Sequence, residues 1–161
     1  MSAVTIKQDN VAALLKSLHA LTGREVLVGI PSTETDRKDK GDPMDNATLG
    51  YIHEFGAPAA GIPARPFLIP GVEEGRDAIN KQLRAATEAG VTGNVNEVDR
   101  RLHAAGLVAQ NAVRARINSG IEPELSPLTI AARKRRGRKG DKPLIDTGQL
   151  RNAITYVIRK K

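Results

Sequence analysis

Hydrophobic residues recur at helical spacing along three long stretches of the chain: 11–21, 70–89 and 95–118. Residues suited to a helix start stand at the beginning of each stretch: Asp9 or Asn10, Pro70 in a first turn, and Asn94 or Asn96. Gly23 and Gly120 follow the first and third stretches and can end them. The pattern therefore predicts three helices, each with one apolar face.

Two other segments, 25–30 and 153–159, alternate apolar and polar residues in the way typical of strands. A lone strand leaves its backbone hydrogen-bonding groups unpaired, so we expect these two strands to pair with each other. The sequence thus predicts an α+β fold. Its small antiparallel sheet would join the two ends of the chain and be packed by three or four helices.

Shorter elements are indicated by capping residues rather than by periodicity. Asn46 can cap a short helix that Gly56 closes, and Ser126-Pro127 can start another. Asp146 or Thr147 can cap a turn that continues through Leu150. These elements connect the larger ones within a single predicted domain covering residues 1–161.

The composition restricts both the core and the setting of the protein. The 161 residues include only two Phe, two Tyr and no Trp, so the core must be mostly aliphatic. A core rich in small side chains gives little stabilisation per residue, which favours assembly with other subunits. The absence of cysteine excludes disulfides and fits a reducing compartment. No stretch reaches the roughly 20 apolar residues of a membrane span, and no signal-peptide pattern is present, so we expect a soluble protein made in the cytoplasm.

The net charge of +7 is concentrated near the end of the chain. Residues 133–161 carry 11 Lys or Arg against two Asp, whereas residues 1–132 carry 14 against 16 acidic residues. Two charged segments without apolar periodicity, 31–45 and 133–142, are predicted to be long mobile loops.

The second of these loops contains a basic run formed by Arg133, Lys134, Arg135, Arg136, Arg138, Lys139 and Lys142. Several cations close together can contact nucleic-acid phosphates and release counterions. Because no aromatic residue lies within the run, stacking on bases is not expected. The alternative is a solvated loop that docks on an acidic protein partner, and the sequence leaves both interpretations open.

Residues that could support catalysis are scattered. His19, His53 and His103 belong to different predicted helices, and no pair has metal-ligand spacing. The adjacent His53 and Glu54 point in different directions on a helix, so an acid/base pair is not expected. The chain has no nucleophile elbow, no P-loop and no dinucleotide fingerprint. The sequence predicts no enzyme activity, cofactor or metal; a small hydrolase that uses His53 is the remaining alternative.

The segment 62–71 has three prolines within eight residues. Each proline fixes its own φ and pushes the preceding residue toward an extended conformation. A stiff segment that carries Ile62, Phe67 and Leu68 can hold apolar groups in one pose. We predict that these three residues pack against a neighbouring subunit, and packing of Phe67 within its own chain is the alternative.

Three segments together resemble one protein family. They are GYIHEFG at 50–56, IPARPFL at 62–68 and PLIDTGQLRNAI at 143–154, and they are similar, in order and spacing, to motifs of the tail-completion or neck proteins of tailed bacteriophages, including the Mu-type virion morphogenesis group. The resemblance extends over nearly the whole chain from about residue 10. Two departures are the length of the charged loop 31–45 and Ala153, where the family commonly has a small hydroxyl residue.

The resemblance implies a non-enzymatic structural protein of the virion. Copies would form a homo-oligomeric ring, with six as the expected number, in the neck between the head connector or stopper protein and the tail terminator or tail tube protein. Genomic DNA would pass through this ring, and the basic run would face the channel or an acidic partner. A sequence-independent nucleic-acid-binding module is the alternative function, and neither function implies a membrane.

Overall fold

The computed structural model describes residues 9–31 and 44–161, and most of the predicted loop 31–45 lies outside these residues. Its elements are α1 (Val11–Thr22), β1 (Arg24–Gly29), α2 (Asn46–Phe55), a 3₁₀ turn (Pro58–Ala60), α3 (Leu68–Glu74), α4 (Arg76–Val91), α5 (Val95–Ser119), α6 (Pro127–Arg135), α7 (Gln149–Ala153) and β2 (Thr155–Lys160). The α+β fold is confirmed, with seven α-helices in the described part where the pattern predicted three or four. The additional helices are short: α2, α3, α6 and α7 have 10, 7, 9 and 5 residues.

The predicted pairing of the two strands is also confirmed. The two strands form a two-stranded antiparallel sheet. Beyond the strands, the backbone N–H of Lys161 donates to the carbonyl oxygen of Gly23 at 2.9 Å. The second strand begins at Thr155 rather than 153, because α7 continues to Ala153.

Two predicted details of the helices differ from the structure. The stretch 70–89 is not one helix, because Gly75 separates α3 from α4. The cap of α2 is Asp45 rather than Asn46: the Asp45 carboxylate accepts a hydrogen bond from the backbone N–H of Thr48 at 2.6 Å. This hydrogen bond is the main cause of the lowered pKa of Asp45.

Contacts between residues divide the chain into two compact units. Unit 1 comprises Met1–Leu27, Asp77–Gly106 and Val157–Lys161, and unit 2 comprises Val28–Arg76 and Leu107–Tyr156. The core of unit 1 is built on small and aliphatic side chains from α4 and α5: Ala86, Ala89, Val98 and Leu102. There the buried Ser17 hydroxyl donates to the carbonyl oxygen of Gly90 at 2.5 Å, which satisfies a polar group inside the core.

The core of unit 2 contains the larger side chains: Phe67, Val113, Ile117, Ile121, Leu144, Leu150 and Ile154. Helix α3 lies directly on α5 in this core, because a Cβ added to Gly71 would stand 2.7 Å from the Cα of Val113. Only glycine allows that approach. No helix in the described residues is long and apolar enough to cross a membrane.

Candidate functional site

Glu54, in the HEFG segment, holds the start of α3. Its buried carboxylate accepts three backbone hydrogen bonds, from Phe67 at 2.7 Å, Leu68 at 2.8 Å and Ile69 at 3.0 Å. These N–H groups lie at the start of α3, where backbone N–H groups have no hydrogen-bond partners within the helix itself. A carboxylate at this position also complements the positive end of the helix. The Glu54 carboxylate therefore joins the motif segments 50–56 and 62–68 through charge-assisted hydrogen bonds that cap α3.

The chain turns sharply between these two segments. Gly56 ends α2 with a φ of +78°, a conformation that favours glycine. A Cβ at Gly56 would stand 2.8 Å from the backbone nitrogen of Ala64, so glycine is also required by space. Nearby, the Arg65 backbone N–H donates to the carbonyl oxygen of His53 at 2.6 Å. The end of α2 and the proline-rich segment thus lie side by side.

The Arg65 side chain is buried and ties this segment to a loop that follows α5. Its guanidinium donates to the carbonyl oxygens of Pro123 at 2.6 Å and Glu124 at 2.9 Å. Burial, and then repulsion from Arg133, lower the pKa of Arg65. The planar fork of arginine suits two adjacent carbonyl oxygens, which a lysine could not bridge in the same way.

Arg133 organises the loop that was predicted to be a mobile basic arm. Its Nη1 donates to the carbonyl oxygens of Gly140, Lys142 and Ile145, at 3.3, 2.9 and 3.0 Å. Its Nε lies 3.5 Å from a carboxylate oxygen of Asp146, which also pairs with Arg138. The first residue of the basic run is therefore buried and bonded inside the protein.

The rest of the basic run is divided between bonded and exposed residues. The Lys142 ammonium donates to the carbonyl oxygen of Asn118 at 2.7 Å. Lys134, Arg135, Arg136 and Lys139 are exposed. Lys142 is exposed as well, so five of the seven residues predicted to contact DNA or an acidic partner lie at the surface.

The DTG segment forms a turn whose cap differs from the predicted one. Neither Asp146 nor Thr147 caps α7: the N-cap is Gly148, in the left-handed region at a φ of +78°. At the other end of this helix, the Arg114 guanidinium donates to the carbonyl oxygens of Asn152 at 3.2 Å and Ile154 at 2.7 Å. All three motif segments thus belong to unit 2 and are fixed through backbone groups.

A polar groove of about 580 Å³ runs between α2 and α6. Residues of all three motifs line it, including His53, Arg65 and Asp146, and α6 contributes Thr129 and Arg133. Within the described residues, no group of His, Cys, Asp and Glu side chains could hold a metal ion. His19 and His103 are exposed, and neither lines this groove.

An aromatic groove of about 230 Å³ lies on the other side of α2, lined by Ile30, Ala47, Gly50, Tyr51, Phe55 and Ile69, with Phe67 among its deeper residues. The rings of Tyr51 and Phe55 are 4.9 Å apart, and their side chains are 68% and 56% exposed. Ile69 is also 56% exposed. Two of the four aromatic residues of the chain therefore lie at the surface.

The three residues predicted to pack against a subunit have different environments. Phe67 is buried in the core of unit 2, which is the intramolecular alternative weighed above. Leu68 is half-buried and packs against the same core, and Ile62 is half-buried beside the polar groove. Sequence reasoning missed Tyr51, Phe55 and Ile69; the signal available was the spacing of four residues between two rare aromatics on one helix.

Comparisons of the chain with models of protein families, with curated proteins and with solved structures give no match.

Proposed function

We propose that this chain is a structural, non-enzymatic subunit of the neck of a tailed bacteriophage, where it completes the tail and joins it to the head. The observation that carries the proposal is the set of three motif segments, at 50–56, 62–68 and 143–154, which resemble those of tail-completion proteins. In this chain their polar residues bond to backbone groups, as Glu54 does to the start of α3 and Arg65 to the loop that follows α5. Such bonding supports a scaffolding role.

In the proposed assembly, copies form a ring, with six as the expected number, around the channel through which DNA passes. The neighbours are a head connector or stopper protein on one side and a tail terminator or tube protein on the other. Four of the exposed cations, Lys134, Arg135, Arg136 and Lys139, are the residues we assign to phosphates in the channel or to an acidic partner surface.

The test is to stop production of the protein during growth of the phage that encodes it. We expect electron microscopy of the lysate to show filled heads and tails that are separate, with joining restored when the protein is supplied. Particles with normally joined heads and tails in its absence would contradict the proposal.

The same four exposed cations favour the alternative, a free module that binds nucleic acid without sequence preference. On that alternative, the purified protein binds duplex DNA with an affinity that falls steeply with salt. Replacing the four with glutamine would remove this binding, whereas replacing Arg84 and Lys81, which are exposed on α4, would not. Tight binding lost only in the first variant would favour the free module over the neck subunit.

A further inference from the structure

Leu128 is the most exposed large hydrophobic residue of the described chain, at 83%. It stands in the first turn of α6, next to Pro127 and the N-cap Ser126, whose hydroxyl accepts a hydrogen bond from the Thr129 backbone N–H. This capped start fixes the direction in which the leucine points. A single exposed leucine is common on protein surfaces, so its meaning depends on what else the surface offers.

The aromatic groove is an acceptor of suitable chemistry and size. Its volume of about 230 Å³ exceeds the roughly 150 Å³ of an apolar cavity that accepts a benzene ring, so a leucine side chain fits it. Its rim is formed by Tyr51, Phe55 and Ile69, all more than half exposed. Beneath the rim, Gly50 packs closely against the core, because a Cβ there would stand 2.9 Å from the Ile30 side chain.

Within unit 2, Leu128 and the rim of the aromatic groove both lie away from the side chains that line the polar groove. On α2, Leu49 and His53 line the polar groove. Tyr51 comes two residues after Leu49, and Phe55 two residues after His53, so each aromatic side chain lies about 200° around the helix from the polar groove. On α6, Thr129 and Arg133 line the polar groove, and Leu128 lies roughly 100–140° away from them. Leu128 does not line the aromatic groove of its own chain.

Charges beside the two surfaces are opposite in sign. Arg135 lies on the same face of α6 as Leu128, seven residues further along, and is exposed. Glu73 follows Ile69 by four residues on one face of α3, is exposed, and forms an exposed ion pair with Arg76. A copy that inserts Leu128 into the groove thus brings a cation to a rim that carries an anion, which favours correct orientation.

We infer that Leu128 of one copy inserts into the aromatic groove of the next copy, in a head-to-tail contact. Because the two surfaces differ, the contact is heterologous, and repetition closes a ring when the rotation between copies closes. This inference rests on the proposed function for its biological setting and deepens it by assigning the subunit interface. The occupant of the groove is a second copy of this chain.

The absence of cysteine allows a clean cross-linking test. Ala131→Cys, exposed on the Leu128 face of α6, and Thr48→Cys, exposed beside Tyr51 on α2, leave both contact surfaces intact. A mixture of the two single variants, treated with a short bismaleimide, should give covalent dimers, whereas each variant alone should not. A chain carrying both cysteines should give higher oligomers.

Leu128→Asp in the Ala131→Cys background should lower the yield of dimers by about tenfold or more, because an aspartate would have to enter an apolar groove unpaired. Val91→Asp is the matched control, since Val91 is 62% exposed on α4 and its replacement should leave the yield unchanged. Circular dichroism spectra should be the same for all variants.

Three results would overturn the inference: no dimers in the mixture, dimers from either single variant alone, or dimers that persist with Leu128→Asp. The virion supplies a separate readout. If Leu128→Asp abolishes cross-linking while heads and tails still join normally, the interface stands and the proposed function falls.

Discussion

Glu54 gives the strongest test of how the motif segments are held together. Its carboxylate accepts three backbone N–H groups from the start of α3, and the side chain is buried. At about 1–1.5 kcal/mol for each bond, Glu54→Ala should lower the free energy of unfolding by about 3–4 kcal/mol. Glu54→Gln keeps an oxygen for two of the three donors and should cost about 1.5–2 kcal/mol.

Urea denaturation followed by far-UV circular dichroism measures both values. With a slope of about 2 kcal/mol per molar urea, Glu54→Ala should move the midpoint down by about 1.5–2 M. Glu73→Gln is the control, because this exposed carboxylate on the same helix α3 should matter by less than about 0.5 kcal/mol.

Amide hydrogen exchange locates the effect. Protection of the Phe67, Leu68 and Ile69 N–H groups should fall in Glu54→Ala, and that of one of them in Glu54→Gln. The account of Glu54 as a cap is refuted if both variants unfold within about 0.5 kcal/mol of the parent, or if the three amides keep their protection.

Three further perturbations follow from the same structure. Arg133→Gln should cost about 3 kcal/mol, because the buried Arg133 guanidinium donates to three carbonyl oxygens that would lose their partner. Arg135→Gln, at the exposed end of α6, should cost under about 0.5 kcal/mol in the same urea assay, and equal effects would contradict the buried role of Arg133. Gly56→Ala should destabilise more than Gly61→Ala in thermal unfolding, because both have positive φ but only Gly56 meets backbone atoms; the reverse order would contradict this. The folded-state pKa of Asp45 lies below its usual 3.8, so the carboxylate stabilises the fold above pH 3.8, and this stabilisation is lost as the pH falls through the folded-state pKa. In Asp45→Asn, the free energy of unfolding should lose this part of its pH dependence. An unchanged dependence of stability on pH would contradict the role of Asp45 as a cap.

The periodic parts of the fold could be predicted from the sequence. Helices α1 and α5 and the pairing of β1 with β2 follow from apolar residues at fixed spacing and from the need of each strand for a partner. The break between α3 and α4 at Gly75 could not be predicted, since the apolar pattern continues across it.

The bonds that hold the motif segments were not visible in the sequence for a different reason. Glu54, Arg65 and Arg133 are recognisable residue types, but their partners are backbone groups, which every residue carries. A charged side chain that binds carbonyl oxygens looks, in the sequence, like one that faces solvent. This is why Arg133 was assigned to a basic arm and is found buried.

The pairing of β1 with β2 also restricts the order of events during synthesis. Every residue between 30 and 154 must be made before β2 leaves the ribosome, so β1 emerges long before its partner strand exists. Until then its edge is open to any other nascent chain. Because the pairing closes a long loop, it forms late and slowly. Polysomes that carry several nascent copies are therefore where mispairing of β1 would begin.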